Sequence, residues 1–206
     1  MELPEGLRAL IPKDTLRRRV RELGAEITQE YRDIIQDGTD EWPLLAIGVL
    51  SGASIFMADL VREIDLPLEL EHLTLTSYRD GTEPGELQLD GDFRRNIAGR
   101  HVLVVEDLID TGRTLRFLRE HLRAQGPASV GCCCLLDKTP RREIEAVIDH
   151  VGFQLDEDFF VVGYGIDYAG QYRNLPYVAA LCSSGARSGD TKSGTTEQQL
   201  GLRDSG

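Results

Sequence analysis

Apolar residues recur at Leu16, Val20, Leu23, Ile27, Tyr31 and Ile34, three or four positions apart, with arginines and acidic residues between them. That spacing predicts one amphipathic helix whose arginines face solvent, with Asp14 and Thr15 as candidate N-caps. Further along, short apolar runs at 44–50, 101–105, 130–136, 159–163 and 177–181 read as buried strands, and helical patterns at 53–64 and 113–125 lie between several of them. The later helix carries Leu115, Leu118 and Leu122 on one side and is stopped by Gly126-Pro127. Alternation of buried strands with helices predicts an α/β fold, an open and mostly parallel twisted sheet flanked by helices.

Two stretches fall outside that rhythm. Residues 79–92 are rich in Gly, Asp and Glu, long for a connection inside a domain, and read as either disordered or a functional lid. Residues 183–206 contain no aromatic side chain, are dominated by Ser, Gly, Thr and Gln, and balance Arg187, Lys192 and Arg203 against Asp190, Glu197 and Asp204. They are expected to be a disordered polar tail behind one domain spanning 1–182. A chain of 206 residues has room for one such domain and its core.

Charge and composition remove several classes of function. Lys+Arg total 23 against 35 Asp+Glu, a formal net charge of -12, so a broad basic face for nucleic acid is not expected. No apolar run approaches the roughly 20 residues that cross a bilayer, and the amino-terminal residues lack a signal pattern; the expectation is a soluble, cytoplasmic protein that works without a membrane. Cys132, Cys133 and Cys134 are consecutive and alternate across a predicted strand, which favours small core side chains over a disulfide framework or a metal site. His72, His101, His121 and His150 show neither triad nor metal-ligand spacing and are read as structural.

The chemistry concentrates in residues 102–114, VLVVEDLIDTGRT: an apolar strand, two adjacent carboxylates, then a Gly/Thr-rich turn opening a helix. In Asp110-Thr111-Gly112-Arg113-Thr114 the glycine allows close backbone approach, helix-start N–H groups point outward, and hydroxyls and Arg113 add donors, a cradle for a phosphate monoester. Glu106 and Asp107 would repel that phosphate if they faced it, but they suit a diol or, through water, Mg²⁺. A sugar phosphate carries both groups a few ångströms apart. Ser51-Gly52, Glu106 to Thr114, Lys138 and Asp167 each follow a predicted strand, and open parallel sheets bind ligands beyond the carboxyl ends of their strands.

This segment resembles the phosphoribosyl pyrophosphate (PRPP) motif of the type I phosphoribosyltransferases. Gly48-Val49-Leu50-Ser51-Gly52-Ala53, Ser77-Tyr78, Leu136-Asp137-Lys138-Thr139-Pro140 and the run from Phe160 to Tyr168, FVVGYGIDY, follow in the order seen in the hypoxanthine-guanine members. The resemblance implies the type I fold, with a small hood of amino- and carboxyl-terminal segments and a flexible lid that includes Ser77 and Tyr78. It implies purine salvage: transfer of the 5-phosphoribosyl group from PRPP to N9 of hypoxanthine or guanine, through an oxocarbenium-like transition state, with Mg²⁺ as cofactor. By the same resemblance Asp110 handles the N7 proton, and Glu106 and Asp107 hold the ribose hydroxyls and the Mg²⁺ shell. Thr111, Gly112, Arg113 and Thr114 take the 5′-phosphate, while Leu50, Ser51, Gly52 and Arg173 take pyrophosphate. Lys138 donates to O6, Phe160 stacks on the purine, Val161 offers backbone hydrogen bonds and Asp167 meets the metal beside the base. A homodimer or homotetramer is implied as well.

The sequence departs from the family pattern at Ser51, a short hydroxyl where many relatives carry lysine; backbone N–H groups then bind the pyrophosphate, around a Leu50-Ser51 peptide that the family holds cis. Two other readings stay open: a PRPP- or nucleotide-sensing regulator on the same fold, which the acidic charge disfavours for a nucleic-acid partner, and a phosphoribosyltransferase that prefers xanthine.

Overall fold

The computed structural model describes residues 3–35, 44–77, 87–90 and 95–182. In chain order the elements are β1 (Leu7–Ile11), α1 (Lys13–Ile34), β2 (Leu44–Leu50), α2 (Ser54–Leu60), β3 (Leu68–Ser77), β4 (Leu87–Leu89), β5 (His101–Ile109), α3 (Arg113–Arg123), β6 (Ser129–Lys138), β7 (His150–Leu155), β8 (Val161–Val162) and β9 (Val178–Leu181). A six-stranded sheet runs β4-β3-β2-β5-β6-β7, parallel throughout except where β4 turns back on β3. A second sheet, β1-β9-β8, is antiparallel and joins the two ends of the domain.

The continuous apolar runs explain the layering. In β2 every residue but the last is buried, because helices cover both faces of a parallel sheet and leave no face for water. On one side Leu16, Val20, Leu23, Ile27 and Tyr31 of α1 pack with Phe56 and Leu60 of α2 against Leu103, Val105 and Cys133. On the other, Leu118 and Leu122 of α3 pack against Leu45, Ile47, Val102 and Val104. Cys132 and Cys134 fall on the face opposite Cys133, and all three are free and buried. The alternation read from the sequence therefore puts these thiols in two core layers, where burial pushes each one up, out of the range of a reactive thiolate.

Several expected boundaries move, each for a physical reason. Helix α1 begins at Lys13 with Pro12 at its N-cap, not at Asp14 or Thr15; Pro12 has no N–H to leave unpaired, and its carbonyl accepts the first helical bond, from Leu16 N at 3.0 Å. Asp14 then sits in the first turn, where its charge suits the helix dipole. Strand β5 runs four residues beyond the expected 101–105, to Ile109, and carries Glu106 and Asp107 within it. The helix expected over 53–64 is only Ser54–Leu60, and the strand expected over 159–163 is only Val161–Val162, in the small sheet. Strands β1, β3, β4 and β7 do not stand out in the apolar pattern; β3, for example, reads LELEHLTLTS, an alternation with charge. Strand β4 lies inside the unassigned stretch 79–92 and pairs with the end of β3. The remainder of the expected lid at 78–86 and 91–92, and the expected tail at 183–206, lie outside the described residues. Among the described residues no helix is long and apolar enough to cross a membrane.

Gly24 tests the packing of α1 on the turn that follows α2. A Cβ there would lie 2.5 Å from Glu63 Cβ and 2.6 Å from the Glu63 carbonyl oxygen. Helix propensity alone favours alanine by about 1 kcal/mol, but backbone on the far side cannot yield cheaply, and overpacking costs about 1–3 kcal/mol. Gly24→Ala is expected to lower the urea midpoint with an unchanged m-value; a higher midpoint would show the two segments to be more loosely packed.

Candidate functional site

The carboxyl ends of β2, β5 and β6 lie side by side. Glu106 lies beside Cys134 in the ladder and shares the face of Cys132 and Cys134. Glu106 is buried, and its Oε1 has no hydrogen-bond partner among the described residues. Burial pushes its carboxyl well above the ordinary 4.5, with the neighbouring Asp107 charge adding to the rise. The Asp107 carboxyl is also raised by burial; hydrogen bonds from backbone N–H groups and the charge of Arg173 hold it down, against a further push from Asp167. Glu106 is thus buried, and Asp107 partly buried, at the end of one strand.

The turn that follows is shaped by Gly112, with φ of 85° and the N-cap position of α3. A side chain is excluded there twice over, because the conformation is left-handed and a Cβ would lie 2.6 Å from the Ile144 carbonyl oxygen. The neighbouring segment grips the turn: Glu143 N and Ile144 N both donate to Thr111 O at 3.1 Å. Arg142 adds Nε to Asp110 O at 3.0 Å and Nη2 to Ile109 O at 3.3 Å, while the same Nη2 pairs with Asp137. Asp110 Oδ2 faces Arg141 Nη1 at 3.3 Å, and its Oδ1 is buried without a partner among the described residues. Arg113 pairs with Glu143 at 2.7 Å, and with Arg116 and Phe117 of α3 it borders a cavity of about 460 Å³.

Two further segments meet near Asp107. The Leu50–Ser51 peptide is cis, and Ser54 Oγ and N hold Ser51 O at 2.7 and 3.4 Å. A Cβ on Gly52 would collide with the Asp107 carboxylate, and one on Gly165 would collide with Gly52 O. Gly52 thus sits against β5 on one side and against the loop after β8 on the other. In that loop Asp167 accepts from Gly170 N at 2.7 Å and pairs with Arg173 at 2.7 Å, while Arg173 Nη1 donates to Gly165 O at 2.6 Å.

Lys138 is the last residue of β6, not part of a polar loop, and it is buried with its ammonium paired to Asp158. That pairing draws the Asp158 carboxyl below its usual range. Phe160 is 53% exposed and meets Tyr168 edge-on, with ring centroids 5.2 Å apart. Phe159 instead packs on the core beneath Arg8. Of the adjacent phenylalanines, one therefore faces out, although both precede β8 and lie in no strand. Val161 is buried in β8, Thr114 lies in the first turn of α3, and Leu50 is exposed at the end of β2. Ser77 ends β3, and Tyr78 lies outside the described residues. Sequence reasoning missed Asp137, Arg141, Arg142 and Asp158, and the only local signal was the charge run beside Lys138, which reads equally well as a solvated loop.

A family model described as the phosphoribosyl transferase domain matches residues 18–169. The hypoxanthine phosphoribosyltransferase of Haemophilus influenzae is 45% identical over 173 residues, which cover 84% of this chain and 93% of that protein. The hypoxanthine-guanine phosphoribosyltransferase of Bacillus subtilis is 43% identical over 175 residues, 84% of this chain and 92% of its own. Among solved structures, the hypoxanthine phosphoribosyltransferase of Trypanosoma cruzi in complex with the product IMP aligns with a TM-score of 0.80 at 33% identity, covering 88% of this chain and 97% of that one.

Glu106 yields a prediction with a definite sign. Its carboxyl stands higher in the folded chain than in the unfolded one, so the native state binds the extra proton; that stabilisation is whole below the ordinary carboxylate range and is lost as pH rises through the raised value. Glu106→Gln removes the titration while keeping the shape. In metal-free buffer its melting temperature is expected to exceed that of the unsubstituted chain by a margin that widens from pH 5 to pH 8. A constant margin would mean that Glu106 titrates normally.

Proposed function

The chain belongs to the phosphoribosyl transferase family, and on that footing we propose that it is an enzyme of purine salvage: it transfers the 5-phosphoribosyl group from PRPP to N9 of hypoxanthine or guanine, giving IMP or GMP and pyrophosphate. The observation that carries this reading is the meeting of a carboxylate pair, a phosphate-cradling turn, the Gly52 loop and a buried lysine at the carboxyl edge of one parallel sheet.

In this reading the backbone of the turn from Thr111 to Thr114, with its hydroxyls, takes the 5′-phosphate at the start of α3. Arg113 adds its backbone N–H, its guanidinium being turned to Glu143. Glu106 and Asp107 accept hydrogen bonds from the ribose hydroxyls, which supply the partners that Glu106 Oε1 otherwise lacks. Backbone N–H groups from Leu50 to Gly52 and the guanidinium of Arg173 hold the pyrophosphate. Among the described residues no three such side chains converge as a metal-binding group; Asp107 and Asp167, near enough for their charges to act on one another, would with the neighbouring Glu106 face a Mg²⁺ that is held chiefly by water and the substrate's phosphates. Bound there, Mg²⁺ offsets the charge of the departing pyrophosphate.

Phe160, being exposed, offers a face for the purine, and Val161 offers main-chain hydrogen bonds. Lys138 donates to the exocyclic O6, a contact that adenine, with a donor at that position, cannot return. The bond from C1 to N9 forms as the bond from C1 to the pyrophosphate oxygen breaks, and Asp110 takes the proton from N7. Positive charge on the ribose ring at mid-transfer is stabilised by the carboxylates already set around it. The same reading assigns residues 1–182 to one catalytic domain followed by a polar tail, and takes the protein as cytoplasmic and as a homodimer or homotetramer.

The direct test is a panel of bases with Mg²⁺ and PRPP, followed by pyrophosphate release. Hypoxanthine or guanine is expected to outpace adenine by about 100-fold or more, the scale on which a mismatched hydrogen-bonding group is rejected. Fastest turnover with xanthine would move the specificity to that base, and PRPP binding without pyrophosphate release from any base would favour a sensor. Asp110→Asn is expected to retain PRPP binding and to lose turnover by about 10²-fold or more, the contribution of a positioned proton acceptor. Activity within a factor of two would remove Asp110 from the reaction.

A further inference from the structure

The turn that carries Asp110 and the strand end that carries Lys138 belong to different elements, yet a reaction at a purine needs both at set distances. The ladder between β5 and β6 reaches its last pair at Ile109 and Asp137, so beyond that point no strand pairing ties the two together. Arg142 spans the gap. It follows the single helical turn Thr139–Arg141, which starts directly after Lys138, and its N–H closes that turn on Thr139 O at 3.1 Å. From there its guanidinium reaches the carbonyls of Ile109 and Asp110 and the buried carboxylate of Asp137.

We infer that Arg142 is a positioning residue: a strut that fixes the Asp110 turn relative to Lys138, so that proton transfer at N7 and recognition at O6 are held in register. The chemistry of the group fits the task. A planar guanidinium offers several donors in a rigid fork and stays charged, so it can satisfy two carbonyls one residue apart and a carboxylate in a single orientation. An ammonium in its place can keep the Asp137 pair but not the whole set. The two backbone bonds into Thr111 O from the next residues hold the other side of the same turn. Arg142 itself need touch no substrate; its effect is on where Asp110 stands, and misplacement on the ångström scale is enough to cost about 10² in rate.

The inference rests on the phosphoribosyltransferase reading for its kinetic part only, because hydrogen exchange of the free protein needs no substrate. In Arg142→Gln, peptides covering 109–114 are expected to exchange about tenfold faster while peptides of β2 stay at the unsubstituted rate. With hypoxanthine, kcat is expected to fall about 30- to 100-fold with KM for PRPP within threefold, and Arg142→Lys is expected to recover part of kcat. Asp137→Asn on the Arg142→Gln background is expected to add little, since the strut is already gone. Unchanged exchange at 109–114, or faster exchange spread equally over the whole chain, would overturn the inference, as would a rise in KM for PRPP with kcat unchanged. Should Arg142→Gln fail to fold, Arg142→Lys is measured in the same way, with a smaller local rise in exchange expected and equal rates overturning the strut. Should the unsubstituted protein release no pyrophosphate, the functional reading falls while exchange still decides for or against the strut.

Discussion

The placing of two adjacent carboxyl groups, Glu106 buried and Asp107 partly buried, at the end of β5 is the constraint to which the rest of the structure answers. In a strand sandwiched between β2 and β6, Glu106 is buried and Asp107 partly so, and burial raises the carboxyls of both. The core around them supplies the stability needed to hold them there. The arrangement leaves Glu106 Oε1 without a partner among the described residues, and under the proposed function a ligand hydroxyl would supply one. Gly52 belongs to the same constraint, because only a residue without a side chain leaves Asp107 the space it occupies.

The small antiparallel sheet brings to this edge what the large one cannot. Strands β8 and β9 pair with β1 from the other end of the domain, and the segments flanking β8 deliver Asp158 to Lys138 and Gly165 to Gly52. Lys138 is buried with its charge paired, a state that tolerates the loss of either partner poorly. The small sheet's flanking segments are therefore joined to the carboxyl edge of the large sheet through a few close contacts, Asp158 on Lys138 and Gly165 on Gly52, while Arg173 braces the loop after β8 by binding Asp167 and Gly165 O.

Under the proposed function a chain of net charge -12 receives a polyanion. Long-range attraction is not available at that balance of charge. What remains are donors acting at hydrogen-bond range: main-chain N–H groups at the start of α3 and around Ser51, and the guanidinium of Arg173. Such contacts are screened far less by salt than surface charges are.

The pattern of apolar runs was enough to identify the layers, since burial on both faces leaves a continuous run as its mark; β2 matches its expected bounds residue for residue. The spacing of Glu106, Asp107, Gly112 and the threonines was legible because chemistry there depends on neighbours in the chain. Strands at the margins were not: β3 and β7 carry mixed patterns, and β4 is three residues long. That β5 continues through its two carboxylates was decided by pairing with β6, which no local propensity reports. Tertiary structure alone decided the partners of Lys138, Arg113 and Asp110, because Asp158, Glu143 and Arg141 approach them from other segments of the chain. Residue type and local spacing can specify which groups are able to react; their distances are set by long-range packing, and the sequence by itself carries no record of them.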